Sequence, residues 1–146
     1  MALGNWNNWF KIAAALKPAA AEVVRDEAFF IADAIKAQIV ANGQVSQPIE
    51  GYPGGFMHDS IYASTVNEST YGQGIEPPKG AYRLPEEKPD SDQQGTFGCA
   101  ANYGIFQNDG TRYLPARPFF EPGMERGAAQ FDVYMATMEA RIKARI

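Results

Sequence analysis

The most regular alternation of apolar and polar positions lies between Ala19 and Ala41. This stretch contains no Gly or Pro, and its apolar residues recur at steps of three and four. Such spacing places them on one stripe of an amphipathic helix, with charged residues opposite. Gly43 can end the helix in the left-handed conformation. Because Pro18 suits a first helical turn, the pattern predicts that residues 1–17 form a separate N-terminal arm.

The predicted arm has an apolar side of its own, formed by Trp6, Trp9 and Phe10. These side chains stay exposed unless they pack on something. Packing on the domain's own core and packing on a neighbouring subunit are both open alternatives.

Two short segments have the composition of strands. Ile61 to Val66 alternates branched or aromatic residues with small ones, and Thr96 to Ala101 is apolar and small. The second segment is expected to carry Cys99 into the core. Residues 43–59, between the helix and the first strand, are rich in Gly and Pro and predict a loop.

The last segment, Phe119 to Arg145, predicts a second helix. Acidic residues lie in its first turns and basic residues in its last, which complements the helix dipole. Its expected apolar side comprises Met124, Ala128, Phe131, Met135 and Met138. The fold is therefore predicted to be α+β, with a long N-terminal helix and a C-terminal helix packed on a small antiparallel sheet.

Residues 67–94 contain four prolines, three glycines and many charged side chains. Such a stretch buries little apolar surface by itself, so it predicts a long projecting loop that neighbouring molecules would order. Tyr71, Tyr82 and Leu84 are its large side chains and the expected anchors at an interface.

Composition limits the class of protein. With 146 residues, 45% of them hydrophobic, the chain 1–146 suits a single domain. The formal charge of −4 comes without any basic cluster, which disfavours nucleic acid held by phosphate contacts. No apolar run approaches the roughly 18 residues that span a bilayer, and the first residues lack a signal-peptide pattern, so we expect no membrane association.

Few residues could carry chemistry. Cys99 and His58 are the only cysteine and histidine, too few for an internal disulfide or a structural zinc site. A catalytic Cys–His dyad is a less favoured interpretation than a buried structural cysteine. His58 and Asp59 are interpreted as a pair in a solvated turn. Four carboxylates, Glu86, Glu87, Asp90 and Asp92, could form a weak cation site but more simply form a solvated charge run. We therefore predict no catalytic, cofactor-binding or metal-binding residues and no enzymatic activity.

The most informative stretch runs from residue 103 to residue 125, where Gly-Thr at 110–111 precedes Pro-Ala-Arg-Pro-Phe at 115–119. It resembles the signature of phage tail-completion proteins, also described as minor tail, neck or head-to-tail joining proteins. In that family an aromatic-rich segment runs into Gly-Thr, and the Pro-Ala-Arg-Pro-Phe segment opens the last helix. Residues 58–61 look like a second, weaker mark. The chain departs from the family by having Gln-Asn-Asp at 107–109 in place of Glu-Phe.

The resemblance implies a structural protein of a tailed phage, located in the neck or tail of the virion and in the host cytoplasm during assembly. It would form a ring, sixfold or twelvefold, around a channel that DNA passes without sequence-specific binding. Implied partners are copies of itself, the head connector or adaptor, and tail terminator or tube proteins. Alternatives are a tail terminator or head-closure protein or, from another class, a small cytoplasmic enzyme or ligand-binding domain.

The residues predicted to form the motif or the interface combine the anchors of the 67–94 segment with the motif itself. Pro115 and Pro118 should stiffen the loop, one of Phe119 and Phe120 should be buried, and the guanidinium of Arg117 should hold loop carbonyls or a carboxylate. The full set is Tyr71, Tyr82, Leu84, Phe106, Gly110, Thr111, Pro115, Arg117, Pro118, Phe119 and Phe120.

Overall fold

A long helix, a two-stranded sheet and a series of short helices follow one another along the chain. The computed structural model describes residues 9–146. Its elements are α1 (Trp9–Ala41), α2 (Phe56–Asp59), β1 (Ile61–Ser64), β2 (Thr96–Cys99), α3 (Gly104–Asp109), α4 (Phe120–Ala128), α5 (Phe131–Met135) and α6 (Met138–Lys143). The predicted α+β class is confirmed. Within the described residues no helix is both long enough and apolar enough to cross a membrane.

Helix α1 runs for 33 residues and passes through Pro18 without ending. The prediction of a separate arm over residues 1–17 is therefore wrong for its described part. An interior proline removes one helical hydrogen bond, but alanines, which favour helix strongly, lie on both sides of it at 13–15 and 19–21. Ala15 and Ala19 are also buried against Ile142 of α6. Tertiary packing on both sides of the proline thus holds the helix together.

The carboxyl end of α1 follows the prediction. Gly43 has a φ of 69°, its N–H donates to Val40, and the N–H of Gln44 donates to Ile39. This left-handed closure ends the helix. At the amino-terminal end, we predicted an apolar side formed by Trp6, Trp9 and Phe10. These three side chains lie outside the part of the chain that the structure describes.

The core is built on the predicted apolar stripe of α1. Ile31, Ile35 and Ile39 are buried there against residues of the strands and of the carboxyl-terminal half. From outside α1 the core receives Phe56, Met57, Ile61, Ala63, Ala101 and Phe119. Helix α1 is thus the common packing partner of the other elements.

The sheet has two antiparallel strands, with Ile61 opposite Cys99 and Ser64 opposite Thr96. Both predicted strands are confirmed, although each is two residues shorter than predicted. Pairing of β1 stops at Ser64 because the chain turns back there, with the N–H of Thr65 donating to the carbonyl of Glu68. Every residue of β1 is buried, whereas β2 is partly exposed.

Residues 67–94 contain no helix or named strand, as predicted, but they lie along the sheet and do not project. The hydroxyl of Tyr71 donates to the carbonyl of Leu84 at 2.6 Å, and its ring packs edge-on against Tyr62. The Glu86 carboxylate accepts hydrogen bonds from the hydroxyls of Ser64 and Ser69. Tyr71 is therefore an internal anchor.

The same segment extends the sheet beyond the end of β2. Arg83 forms an isolated antiparallel bridge with Ala101, and the N–H of Leu84 donates to Ala100 at 2.7 Å. Backbone groups make these contacts, so the apolar pattern of the sequence does not predict them.

The single carboxyl-terminal helix predicted from Phe119 to Arg145 is divided into α4, α5 and α6. At the joints the chain keeps helical dihedral angles, but hydrogen bonds shift to three-residue spacing, from Gln130 to Gly127 and from Thr137 to Tyr134. Each tightened turn rotates the side chains of the next helix away from the positions that one continuous helix of about 3.6 residues per turn would give them. Phe131 and Met135, predicted to be on the apolar side, are consequently 43% and 44% exposed.

Helix α4 lies directly on α1 because two glycines face it. A Cβ placed on Gly123 would lie 2.5 Å from Cα of Ile35, and one on Gly127 would lie 2.8 Å from Cα of Ile31. Real Cβ atoms do not approach backbone so closely. The one-turn spacing of Gly123 and Gly127 therefore sets the distance between the two helices.

We predict that Gly123→Ala lowers the free energy of unfolding by about 1–3 kcal/mol or more, because a methyl group there forces the helices apart. In an open helical position the same change would stabilise the protein by up to about 1 kcal/mol. Urea denaturation measures the difference. Ala128→Ser, on the exposed side of the same helix, is the matched control and should change little. A Gly123→Ala protein at least as stable as the wild type would contradict the close approach.

Candidate assembly interface

The connection between α3 and α4 carries the motif and folds back on itself. Gly110 has a φ of 79°, and a Cβ there would lie 2.6 Å from the backbone nitrogen of Ala116, so only glycine fits. The hydroxyl oxygen of Thr111 accepts hydrogen bonds from the N–H groups of Tyr113 and Leu114. The Gly-Thr pair thus closes a tight turn that presents residues 112–114 at its tip.

Asn108 holds the start of α4 from a different helix. Its Oδ1 accepts hydrogen bonds from the N–H groups of both Phe119 and Phe120, each at 3.0 Å. Its Nδ2 donates to the carboxylate of Glu121 at 3.1 Å and to that of Asp109 at 2.7 Å. The first N–H groups of a helix have no partner within it, and a Phe at the N-cap has no side-chain acceptor. Buried Asn108 provides that acceptor.

Amide side chains at the end of α1 hold the other side of the loop. Gln44 donates to the carbonyl of Arg117 at 3.0 Å, and Asn42 donates to the carbonyl of Pro118 at 2.8 Å. In return, the guanidinium of Arg117 donates to the carbonyl of Asn42. Gln38 in turn donates to the Asn42 side chain. The predicted role of Arg117 in holding a loop carbonyl is confirmed.

The two phenylalanines after Pro118 have different surroundings. Phe119 is 1% exposed and belongs to the main core. Phe120 is partly buried and stacks on Phe97 of β2 with ring centroids 5.8 Å apart. At least one buried ring was predicted here, and Phe119 confirms it. Pro115 and Pro118 themselves are exposed.

Large apolar side chains on and near this fixed backbone face solvent. Tyr113 at the tip is 87% exposed, and Ile105 and Phe106 of α3 are more than half exposed. Tyr82 and Leu84, predicted as anchors in the 67–94 segment, are also exposed. The motif, α3 and the 67–94 segment thus each expose large apolar side chains, which are candidate contact points.

A cleft of about 340 Å³ brings Leu84 together with the motif. Leu84 and Ile105 lie on its wall, as do Phe119 and Phe120, with Cys99 between them. The cleft thus joins a predicted anchor of the 67–94 segment to two predicted motif residues. Tyr71 is not part of it, since its hydroxyl is bonded within the segment.

The cleft contains one thiol, and the structure does not bring the single histidine to it. Burial raises the pKa of Cys99 above its ordinary value, against a weaker opposing effect of the Ser60 hydroxyl 3.7 Å away. His58 lies instead on α2, where its Nδ1 is 3.0 Å from Oδ1 of Asp59. The two side chains thus form a partly exposed pair on a single helical turn. A protonated thiol without a nearby base is a poor nucleophile.

Carboxylates do not form a metal centre in the described part of the chain, where no group of three or more His, Cys, Asp or Glu side chains is arranged to hold an ion. Within the predicted charge run, Glu86 instead bonds two serine hydroxyls. These hydrogen bonds lower the pKa of Glu86 even though burial acts in the opposite direction.

The residues that fix the loop were not among those predicted. Asn108 lies where the chain departs from the family signature, Asn42 lies beside the predicted helix end at Gly43, and Gln44 falls in the predicted loop 43–59. The Asn-Asp-Gly sequence at 108–110 does indicate a turn, but a cap eleven residues away along the chain leaves no local pattern. No protein-family model, curated protein or solved structure matches the chain. A function for this surface must therefore be argued from its residues and their geometry.

We predict that Asn108→Ala lowers the free energy of unfolding by about 1–3 kcal/mol, because two buried N–H groups lose their acceptor. Urea denaturation with tryptophan fluorescence measures the loss. Asn67→Ala, at an exposed position, is the control and should fall within about 0.5 kcal/mol of the wild type. Equal stability of the two variants would show that Asn108 does not cap α4.

Truncation of the aromatic side chains should separate folding from surface function. Phe119→Ala should destabilise the domain by about 3–5 kcal/mol, since its ring fills the core. Phe106→Ala should change stability by less than about 0.5 kcal/mol, because its side chain is 54% exposed. Thermal unfolding followed by circular dichroism distinguishes the two. Comparable losses in both variants would place Phe106 in the core and contradict the structure.

Proposed function

We propose that this chain is a structural subunit of a tailed-phage virion, which joins head to tail by assembling with copies of itself into a ring in the neck. The observation that carries the proposal is the motif loop, which is the connection between α3 and α4 at residues 110–119. Its backbone is hydrogen-bonded by Asn108 on one side and by Asn42 and Gln44 on the other, while Phe106 and Tyr113 face solvent.

A loop of this kind is suited to binding another protein. Its backbone is already ordered, so association would cost less conformational entropy than the docking of a flexible segment. Exposed aromatic side chains dominate the energy of many protein interfaces. The loop also offers Arg112 and the rest of the Arg117 guanidinium for contacts with carboxylates.

The kind of assembly comes from the resemblance of residues 103–125 to phage tail-completion proteins. Head-to-tail contacts between identical subunits close into rings when the rotation allows it, and six or twelve copies suit the neck of a tailed phage. Partners would be the head connector or adaptor on one side and the tail terminator or tube on the other. A net charge of −4 suits a channel that DNA passes without being held. A tail terminator or a head-closure protein would use the same surface.

The second candidate function is a small enzyme or ligand-binding domain that uses the cleft beside Cys99. The cleft volume of about 340 Å³ falls within the usual range for small-molecule sites. Its polar wall, however, is occupied by structural hydrogen bonds, since Asn108 serves both α4 and Glu121. The raised pKa of Cys99 also leaves the thiol protonated. These features favour assembly over catalysis, so we propose that the protein is not an enzyme.

The test is to complement a phage lacking this gene with variants of the exposed aromatics. Loss of one such interface anchor costs about 2 kcal/mol of binding, or roughly thirtyfold in affinity. We predict that Phe106→Ser combined with Tyr113→Ser leaves a folded subunit but gives unjoined heads and tails in electron micrographs. Ile49→Ser is the control, because Ile49 is equally exposed but lies outside the motif loop. Normal yields of infectious particles from the double variant would overturn the proposed function.

A further inference from the structure

Glu27 is an acidic residue on the inner side of α1. Its side chain is only 9% exposed, and its Oε2 is buried without a hydrogen-bond partner in the part of the chain that the structure describes. Glu27 is one of the residues that line a separate small cleft of about 150 Å³. The other residues that line this cleft are apolar: Val24, Ala28, Ile31, Gly95, Phe97 and Phe131.

The acidic residues nearest to Glu27 along α1 are all paired. Glu22 bonds Arg141 and Arg145, and Asp26 bonds Arg141 and Arg25. None of these arginines makes an ion pair with Glu27. Burial raises the pKa of Glu27, and no opposing hydrogen bond or charge offsets it.

An unpaired buried carboxylate is expensive, and an apolar side chain at the same position would be compatible with the lining of the cleft. The chain therefore retains a group that its own fold does not use. The hydroxyl of Tyr134 is close enough for the charge of Glu27 to contribute to its raised pKa, but it donates no hydrogen bond to Glu27 within the described residues.

Size and lining define what the cleft can hold. A volume of about 150 Å³ is small, and it suits an unbranched chain better than a bulky group. Val24 and Ile31 offer alkyl surface for such a chain, and the rings of Phe97 and Phe131 can attract a cation. A guanidinium on its stem is larger and presents five donors to a single carboxylate.

We propose that Glu27 and this cleft bind a primary ammonium group at the end of an unbranched aliphatic stem, the chemistry of a lysine side chain. The ammonium donates a hydrogen bond to the carboxylate of Glu27, and the stem lies among the apolar side chains. Phe131, which is partly exposed, forms the rim. This site does not depend on the proposed ring. Its ligand could come from a lysine of a second copy of the chain or from a free small amine.

The experiment uses n-butylammonium chloride as the probe. Thermal unfolding and the ¹³C resonance of the Glu27 carboxyl are followed in the full chain, with sodium chloride at equal ionic strength as the reference. We expect saturable stabilisation and a saturable shift of this resonance. Butylguanidinium should bind about tenfold more weakly, because it does not fit the cleft.

Three variants make the test specific. Glu27→Gln removes the charge with little change of shape and should weaken butylammonium binding about tenfold or more. Glu50→Gln, at an exposed position, should bind like the wild type. Phe131→Ala removes only the partly exposed rim and should weaken binding with the fold intact, which serves if Glu27→Gln unfolds. No response beyond that to sodium chloride, or equal responses from Glu27→Gln and the wild type, would overturn the proposal.

Sedimentation distinguishes the two sources of the ammonium group. If a second copy supplies a lysine, wild-type self-association should be suppressed by butylammonium and weakened in Glu27→Gln. If a free amine is the ligand, butylammonium should bind without changing the sedimentation coefficient. Complementation by the Glu27→Gln variant is scored separately from the Phe106 and Tyr113 double variant, so failure of this site leaves the test of the neck function intact.

Discussion

The contact between α1 and α4 at Gly123 and Gly127 is the constraint on which the rest of the molecule depends. Because the two glycines lie directly against the backbone and side chains of Ile31 and Ile35, the axis of α4 is fixed relative to α1. The start of α4 then brings Phe119 into the core and its N–H within reach of Asn108. Core packing and the shape of the motif loop are therefore consequences of one close approach.

A loop that keeps aromatic side chains in solvent cannot be held by burying them. Here the stabilising contacts are hydrogen bonds between backbone groups and the amide side chains of Asn42, Gln44 and Asn108. Amides suit this role because each carries both donors and an acceptor without a net charge. The backbone of the loop is thus fixed while Tyr113 stays in solvent.

The sequence predicts elements whose pattern is local and repeated. The stripe of α1, its end at Gly43 and the two strands follow from periodicity and from the conformational freedom of glycine. Proline usually interrupts a helix, but α1 continues through Pro18 because packing on α6 outweighs one lost hydrogen bond. The carboxyl-terminal helix was predicted in one piece because the tightened turns near Gln130 and Thr137 leave no mark in composition. Of the candidate site, the motif residues could be predicted, but the partners of Asn108 are too distant in sequence for pattern analysis.

Packing between the two ends of the described chain has a consequence for biosynthesis. The apolar stripe of α1 emerges from the ribosome early, but its covering helix α4 begins only at Phe120. About 80 residues separate them, which takes roughly 4–16 s to translate at about 5–20 residues per second. During that interval Ile31 and Ile35 lack their native cover. The core of the domain can therefore close only after translation has passed α4.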